Sequence, residues 1–379
     1  MIYFIILFLG LIFSFIDSDL RKNKIYMQIY ALLLTFLAIF RYGIGPDYFP
    51  YKYLYSRLNV NIINEVFEGI DKQEVLFRVF GSLMKGIGLS YQMYLVIFSV
   101  LHIYILIKIC AQYSENPLLS LVLYFSFYYI VWTMSGIRQG TTIILGAYLI
   151  LHELDNTFNY KYILGFIVLS FIHTSSLILI PMYILTKFEI SKKQILAIII
   201  ISIVVSFIPL KNIVESFNSY PIFDRISPYI SMENNIYNFF SFKNLGRLFF
   251  IGVALIHYDR YAILGVSRKK LIDIYLISIC IYFFFKFSEL TAARLSIYGK
   301  FFDIILISNF YGLYKDKWKK IIYAILVVTL CSIYTYKEIT AMKYQIGISN
   351  GDTYFVPYIN IFNKNKFKFN TNYFELLDE

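Results

Sequence analysis

YQMYLVIFSVLHIYILIKI, residues 91–109, decides the fold. The stretch carries a single lysine, and as a helix rising 1.5 Å per residue it would be about 28 Å long, close to the apolar thickness of a bilayer. Similar apolar blocks lie on either side of it, at 2–16, 25–40, 117–134, 139–151, 162–185, 195–210, 247–264, 271–287, 297–314 and 321–336, separated by short charged loops. Of the 379 residues, 59% are hydrophobic and 16% charged, and the mean hydropathy is +0.63. Soluble chains carry about 25% charge. A core alone cannot absorb so much apolar side chain, so a water-soluble globular protein is excluded. The pattern predicts an all-α protein, a polytopic transmembrane helical bundle of about 11–12 crossings in a single integral membrane domain, 1–379.

The net charge of +11 reads as loop lysine and arginine meeting anionic headgroups, with membrane lipids rather than nucleic acid as the partner. Cys110, Cys280 and Cys331 are scattered, odd in number and in or beside spans, which suits neither a disulfide framework nor a thiolate metal site. The 2–16 block has no basic residue before it and no small-residue cleavage site after it, so it reads as a retained helix.

Basic residues in short loops mark the cytoplasmic side. The clusters are Arg21, Lys22 and Lys24; Lys187, Lys192 and Lys193; Arg268, Lys269 and Lys270; and Lys315, Lys317, Lys319 and Lys320. They share one side only if one block crosses twice. The block 162–185 suits this, because His173-Thr174-Ser175-Ser176 interrupts its middle and two half-length helices would each be about 18 Å long. Outside then lie both termini, the loop 41–90, the turns at 135–138, His173 and 288–296, the loop 211–246 and the tail 338–379. Apolar Val75, Leu76, Val79, Phe80, Leu83 and Ile87 fall on one face of an interfacial helix over 73–88, whose charged face, with Glu74, Arg78 and Lys85, reads as solvated.

The outer side collects the candidate chemistry. Arg41 ends the second block, and Tyr42-Gly43-Ile44-Gly45-Pro46-Asp47-Tyr48 comes next with Tyr51 close behind, so a Gly-Pro turn groups a guanidinium, a carboxylate and aromatics. Arg138 starts a helix after Ser135-Gly136, Arg247 opens another after Gly246, and Arg294, Tyr298 and Lys300 surround the start of a third. Cations at helix mouths point to an anion site, since guanidinium forks match phosphate oxygens and helix N-termini add positive potential. Each arginine taken alone can equally be snorkelling to the interface. Of the four histidines only His173 reaches this face, where an imidazole suits a general base. Asp47 is the second candidate base. Their bland readings are a structural histidine in a helical break and a turn or capping aspartate. Asp17-Ser18-Asp19 looks like a metal-binding pair of sugar-nucleotide transferases, but it sits in a tight basic loop with no nucleotide-binding domain nearby. With no zinc-protease, serine-hydrolase or Walker sequence and no outer acidic cluster, neither metal nor cofactor is expected.

Arg41-Tyr-Gly-Ile-Gly-Pro-Asp47-Tyr48-Phe-Pro-Tyr51, Ser135-Gly-Ile-Arg138-Gln139, Phe171-Ile-His173-Thr-Ser-Ser176, Arg294-Leu-Ser-Ile-Tyr298 and Val356-Pro357-Tyr358 together resemble the EpsG-type polysaccharide polymerases, which belong with the Wzy O-antigen and capsule polymerases. The resemblance covers most of the chain in order. The family often has Thr or Ser where Pro46 stands. The resemblance implies a multi-pass protein of the bacterial inner membrane that transfers a growing glycan from undecaprenyl diphosphate to a new lipid-linked repeat on the periplasmic face. The donor and acceptor glycans, a chain-length regulator and a flippase are the partners it implies. Such a transfer needs a base and a cationic clamp. His173 or Asp47 fits the base, Arg138, Arg247 and Arg294 the donor diphosphate with Arg41 and Lys300 beside them, and Tyr48, Tyr51 and Tyr298 the sugars.

A lipid-linked oligosaccharide flippase or other transporter would line a cavity open alternately to both sides, whereas these charges collect on one. An O-antigen ligase usually carries a larger outer loop before its histidine. Cysteine-accessibility labelling should find positions near Asp47, His173 and Lys211 outside and positions near Lys269 and Lys319 inside. Opposite labelling of Asp47 and His173 would dissolve the shared site.

Overall fold

A computed structural model describes residues 2–16, 24–69, 73–208, 239–340 and 355–367. Asp17, Ser18, Asp19, Arg21, Lys22, Lys211 and most of the 211–246 loop and the tail lie outside the described residues. The described chain is helical and contains no sheet. Polar caps stop the apolar blocks: Ser90, Asn116, Ser191, Ser241 and Ser288 each accept a backbone N–H of the next helix, so a donor that the helix itself cannot pair is satisfied. The helices gather in two compact units, Met1–Leu145 with Ser170–Thr174 and Ile307–Glu379, and Gly146–Leu169 with Ser175–Leu306.

The first unit contains α1 (Ile2–Ile16), α2 (Lys24–Ile39), α3 (Tyr48–Arg57), α4 (Ile62–Glu68), α5 (Val75–Gly86), α6 (Tyr91–Tyr113) and α7 (Pro117–Tyr124). A π-helical stretch, Phe125–Thr133, continues α7 and leads to the start of α8 (Ile137–His152). Wide turns of this kind bend a helix and redirect the chain beyond it. Here α8 comes so close to the stretch that a Cβ on Gly140 would lie 2.1 Å from the Trp132 carbonyl oxygen, so only glycine fits. At one end of the unit Asn116 Nδ2 donates to the Ser14 carbonyl at 2.8 Å and Asn309 Nδ2 to the Tyr113 carbonyl at 3.0 Å. These bonds tie Ser14 and Asn309 to the loop around Glu115. Opposite them lie Arg41, Asp47, Tyr91 and the segment around Asn360.

In the second unit α9 (Tyr160–Ser170) is followed by a 3-10 turn, Thr174–Ile178, and α10 (Leu179–Leu185). The chain reverses there: the Tyr183 hydroxyl accepts from Asn159 N at 2.9 Å, and its ring meets those of Tyr162 and Phe166 at 6.0 and 5.6 Å. The helix is thus broken at His173 into two arms too short to cross a bilayer singly. The remaining helices are α11 (Lys192–Val205), α12 (Phe242–Ala262), α13 (Val266–Phe284), α14 (Glu289–Lys300) and α15 (Asp303–Gly312), which runs on into the first unit. Lys187 donates to the Glu153 carbonyl, Lys270 to the Leu154 carbonyl, and Lys192 pairs with Asp259 at 2.6 Å. Two of the basic loops therefore share one end, as the hairpin requires.

Three expectations are corrected. The 288–296 stretch is helix rather than turn, because Ser288 caps it and Glu289 is held by Lys243 and Lys286 at 2.5 and 3.3 Å. Arg247 does not open its helix, which begins at Phe242. The face of α5 with Glu74 and Arg78 is not solvated: Arg78 is buried and its Nη1 meets Glu65 Oε1 at 2.7 Å. Gly69 makes room for that guanidinium, since a Cβ there would collide with it.

Among the described residues, Tyr91–Tyr113 and α16 (Lys317–Thr340) are long and apolar enough to cross a membrane by themselves. α1, α2, α11 and α16 all turn isoleucine outward, among them Ile5, Ile12, Ile29, Ile200, Ile322 and Ile325. Such surface is stable only against another apolar phase. Removing one member of a buried ion pair costs about 3–5 kcal/mol, because the other charge is left unpaired. Arg78→Ala should therefore lower the thermal midpoint in detergent sharply, while Glu65→Leu with Arg78→Met should recover much of the loss. Unchanged melting of Arg78→Ala would mean that the pair contributes little.

Candidate functional site

The site in the first unit is built on a turn. After α2 the chain passes through Gly43 at φ 63° and Gly45 at φ 89°, left-handed conformations that other residues adopt only with strain. Gly45 packs onto the Met134–Ser135 turn, where a Cβ would come within 2.9 Å of Ser135 Cβ. The close approach brings Asp47 over Ser135, whose hydroxyl donates to Asp47 Oδ2 at 3.1 Å. Asp47 stands at the N-terminal boundary of α3, yet its side chain makes no cap. The capping reading of this aspartate is therefore set aside.

Three residues after Ser135, Arg138 enters α8. Its Nη1 meets Glu74 Oε2 at 2.6 Å and its Nε donates to the Tyr51 hydroxyl at 3.3 Å. The guanidinium also lies 5.6 Å from the centres of the Tyr51 and Phe77 rings. The second Glu74 oxygen, Oε1, accepts from Thr174 N at 3.0 Å and from Thr174 Oγ1 at 3.1 Å. His173, the neighbouring residue, is half-buried and close enough to act on the Glu74 charge. Within one unit, Tyr51, Arg138 and the His173 tip therefore come together around a carboxylate that sequence reasoning left in solvent, and Asp47 lies close enough to act on Arg138.

The charge states are set by these neighbours. Burial would raise the Glu74 pKa, but Arg138, the Thr174 N–H and His173 outweigh it and hold the carboxyl below its usual range. Burial would likewise lower the Arg138 pKa, and Tyr51 and Glu74 reverse this. For Tyr51 burial wins over Arg138 and pushes the phenol up to about 12. At neutral pH the group is a cation, an anion and a neutral phenol.

Burial takes some of the other expected residues out of reach of a ligand. Arg41 is 1% exposed. Its Nη1 donates to the Ala38 carbonyl at 2.5 Å and to Ser99 Oγ at 3.1 Å, which closes the C-terminal turn of α2 where a cation is favoured. It therefore offers no fork to a diphosphate. Tyr48 is buried in an aromatic cluster with Tyr91 and Tyr94, and its hydroxyl donates to Gln92 Oε1 at 3.2 Å, so neither ring face is open to a sugar. In the second unit Tyr298 is fully buried and its hydroxyl lies 3.0 Å from Ser175 Oγ. Lys300 pairs with the buried Asp303 at 3.0 Å. Arg247 stacks 3.3 Å above the Tyr282 ring, with Lys286 donating to the same tyrosine hydroxyl at 2.8 Å. Arg294 is half-buried in α14, one turn before Tyr298.

Helices with apolar outer faces, and a cation–carboxylate cluster beside a glycine turn, point to a membrane protein with a polar site at one end of a unit. The EpsG family model matches residues 24–360, most of the chain, and the protein belongs to the EpsG family. Proteins of this type belong to the Wzy-like group, and membership implies a polymerase-type function in membrane polysaccharide biosynthesis. No curated protein and no solved structure matches the chain.

The depressed Glu74 pKa has a sign that can be tested. A carboxyl held below its unfolded value of about 4.3 stabilises the fold above that pH and loses the contribution as pH falls through the folded pKa. The gap in thermal midpoint between the native protein and Glu74→Gln should be largest near pH 7 and shrink as the pH drops below about 4.3. A gap that stays constant with pH would mean that the charge of Glu74 adds nothing to stability.

Proposed function

We propose that the protein is a polytopic inner-membrane glycosyltransferase that joins undecaprenyl-diphosphate-linked repeat units on the periplasmic face. The observation that carries the reading is the convergence of Asp47, Arg138, Glu74 and the His173 tip in one unit. Transfer to a sugar hydroxyl removes the hydroxyl proton, forms a bond from that oxygen to the anomeric carbon and breaks the bond from that carbon to the lipid diphosphate. The proton needs a base and the departing diphosphate needs a cation. His173 fits the base, since it stands beside the Glu74 carboxylate and an imidazole can take and release a proton near neutral pH. Asp47, held by Ser135, is the alternative. Arg138 fits the departing diphosphate, since its planar fork matches phosphate oxygens. Tyr51 is a hydrogen-bonding partner for sugar. The transfer is proposed to run without a metal, Arg138 supplying the charge that an ion would otherwise bring, and alongside a flippase and a chain-length regulator.

The test is complementation of a deletion strain, which should accumulate lipid-linked single repeats and no polymer. Loss of a general base typically slows a reaction about a hundredfold to ten-thousandfold, so at matched membrane levels His173→Ala should give single repeats only. Arg138→Lys should shorten or abolish the polymer, and Arg260→Lys, on the exposed end of α12, should be silent. Full-length polymer from His173→Ala with single repeats from Asp47→Asn would move the base to Asp47. Polymer from the deletion strain itself would overturn the reading.

A further inference from the structure

Glu74 is directed mainly at other parts of the chain. It precedes α5 at the position from which side chains usually cap, but makes no such bond. Both of its oxygens are used instead on residues distant in sequence, Oε2 on Arg138 and Oε1 on the N–H and hydroxyl of Thr174. The same turn of α5 binds the tip a second time, through Leu76 N donating to the Phe171 carbonyl at 2.9 Å. The two charged side chains are 18% and 19% exposed, so their attraction is less screened than that of a surface pair. A structural ion pair already exists on this helix, between Arg78 and Glu65, buried to 6% and 4% exposure. A carboxylate that accepts three hydrogen bonds and faces Arg138 and His173 is a weak proton acceptor, which argues against Glu74 as the base.

We propose that Glu74 is a positioning residue that locks the Arg138 guanidinium to the hairpin tip carrying His173, so that cation and base face the reacting bond in a fixed relation. This rests on the transfer reaction proposed above. Glu74 also competes with an incoming phosphate for the same guanidinium. Its removal thus frees Arg138 to bind the ground state at least as well, while the geometry that serves the transition state is lost. The two effects divide between KM and kcat in a way that simple unfolding does not reproduce.

The experiment uses the full chain purified in detergent with a lipid-linked repeat as substrate, and rates are normalised to folded protein by size exclusion. Glu74→Gln should lower kcat about tenfold or more with KM unchanged or lower. Because Glu74 acts through Arg138, the double variant Glu74→Gln with Arg138→Lys should be no slower than Arg138→Lys alone. Thr174→Val, which keeps the backbone bond to Oε1 and removes only the hydroxyl, should show the same pattern at about twofold to threefold. It provides the readout if Glu74→Gln does not fold. Native kinetics in Glu74→Gln, a raised KM at native kcat, or rate losses that multiply in the double variant would overturn the inference and leave the polymerase reading intact. A native protein that extends no lipid-linked repeat would overturn both.

Discussion

Everything at the candidate site hangs on how closely two turns approach each other. Gly43 and Gly45 adopt backbone angles that a side chain would strain, and Gly45 sits against Ser135 with no room for a Cβ. This contact fixes the start of α3 relative to the start of α8. It leads to the hydrogen bond between Ser135 and Asp47, the burial of Tyr48 among aromatic rings, and the placing of Tyr51 beside Arg138. Gly140 extends the same logic one turn further, letting α8 lie against the π-helical stretch that precedes it.

Two ion pairs on α5 show how depth decides a charge's task. Arg78 and Glu65 are sealed off, and the guanidinium also donates to the Glu65 and Gln73 carbonyls, so the pair is satisfied internally and closed to any ligand. Arg138 and Glu74 are half-sealed. Their partners include a hydroxyl and a hairpin tip, and water or an anionic group can still reach them. The first pair suits architecture and the second chemistry.

Apolar block length and polar caps made the helices legible in the sequence, because both are local properties. The broken helix at His173 was equally legible, since four consecutive polar residues cannot continue an apolar span. The helix over 289–300 was hidden by Glu289, Arg294 and Lys300, whose charges mimic a loop until Lys243, Lys286 and Asp303 are seen to neutralise two of them. The site was legible in half. Asp47 and Arg138 stand beside a glycine turn and a helix mouth, whereas Glu74 finds partners 64 and 100 residues further along the chain. A count of opposite charges facing the outer arginines would have brought it forward. Arg41 and Tyr298 are buried against the distant hydroxyls of Ser99 and Ser175, and no local pattern reports it.

The chain closes on itself near its far end. Tyr42 N donates to the Ile359 carbonyl and Ile361 N to the Phe40 carbonyl, each at 3.0 Å, around a bridge between Arg41 and Asn360. The family match also runs as far as residue 360. A ribosome delivers the glycine turn early and its clasp more than three hundred residues later. During synthesis the growing protein therefore carries the parts of a site whose supporting contacts are incomplete, and chains released before residue 360 lack that clasp. A truncation upstream of residue 360 therefore removes the backbone clasp on the turn that carries Asp47.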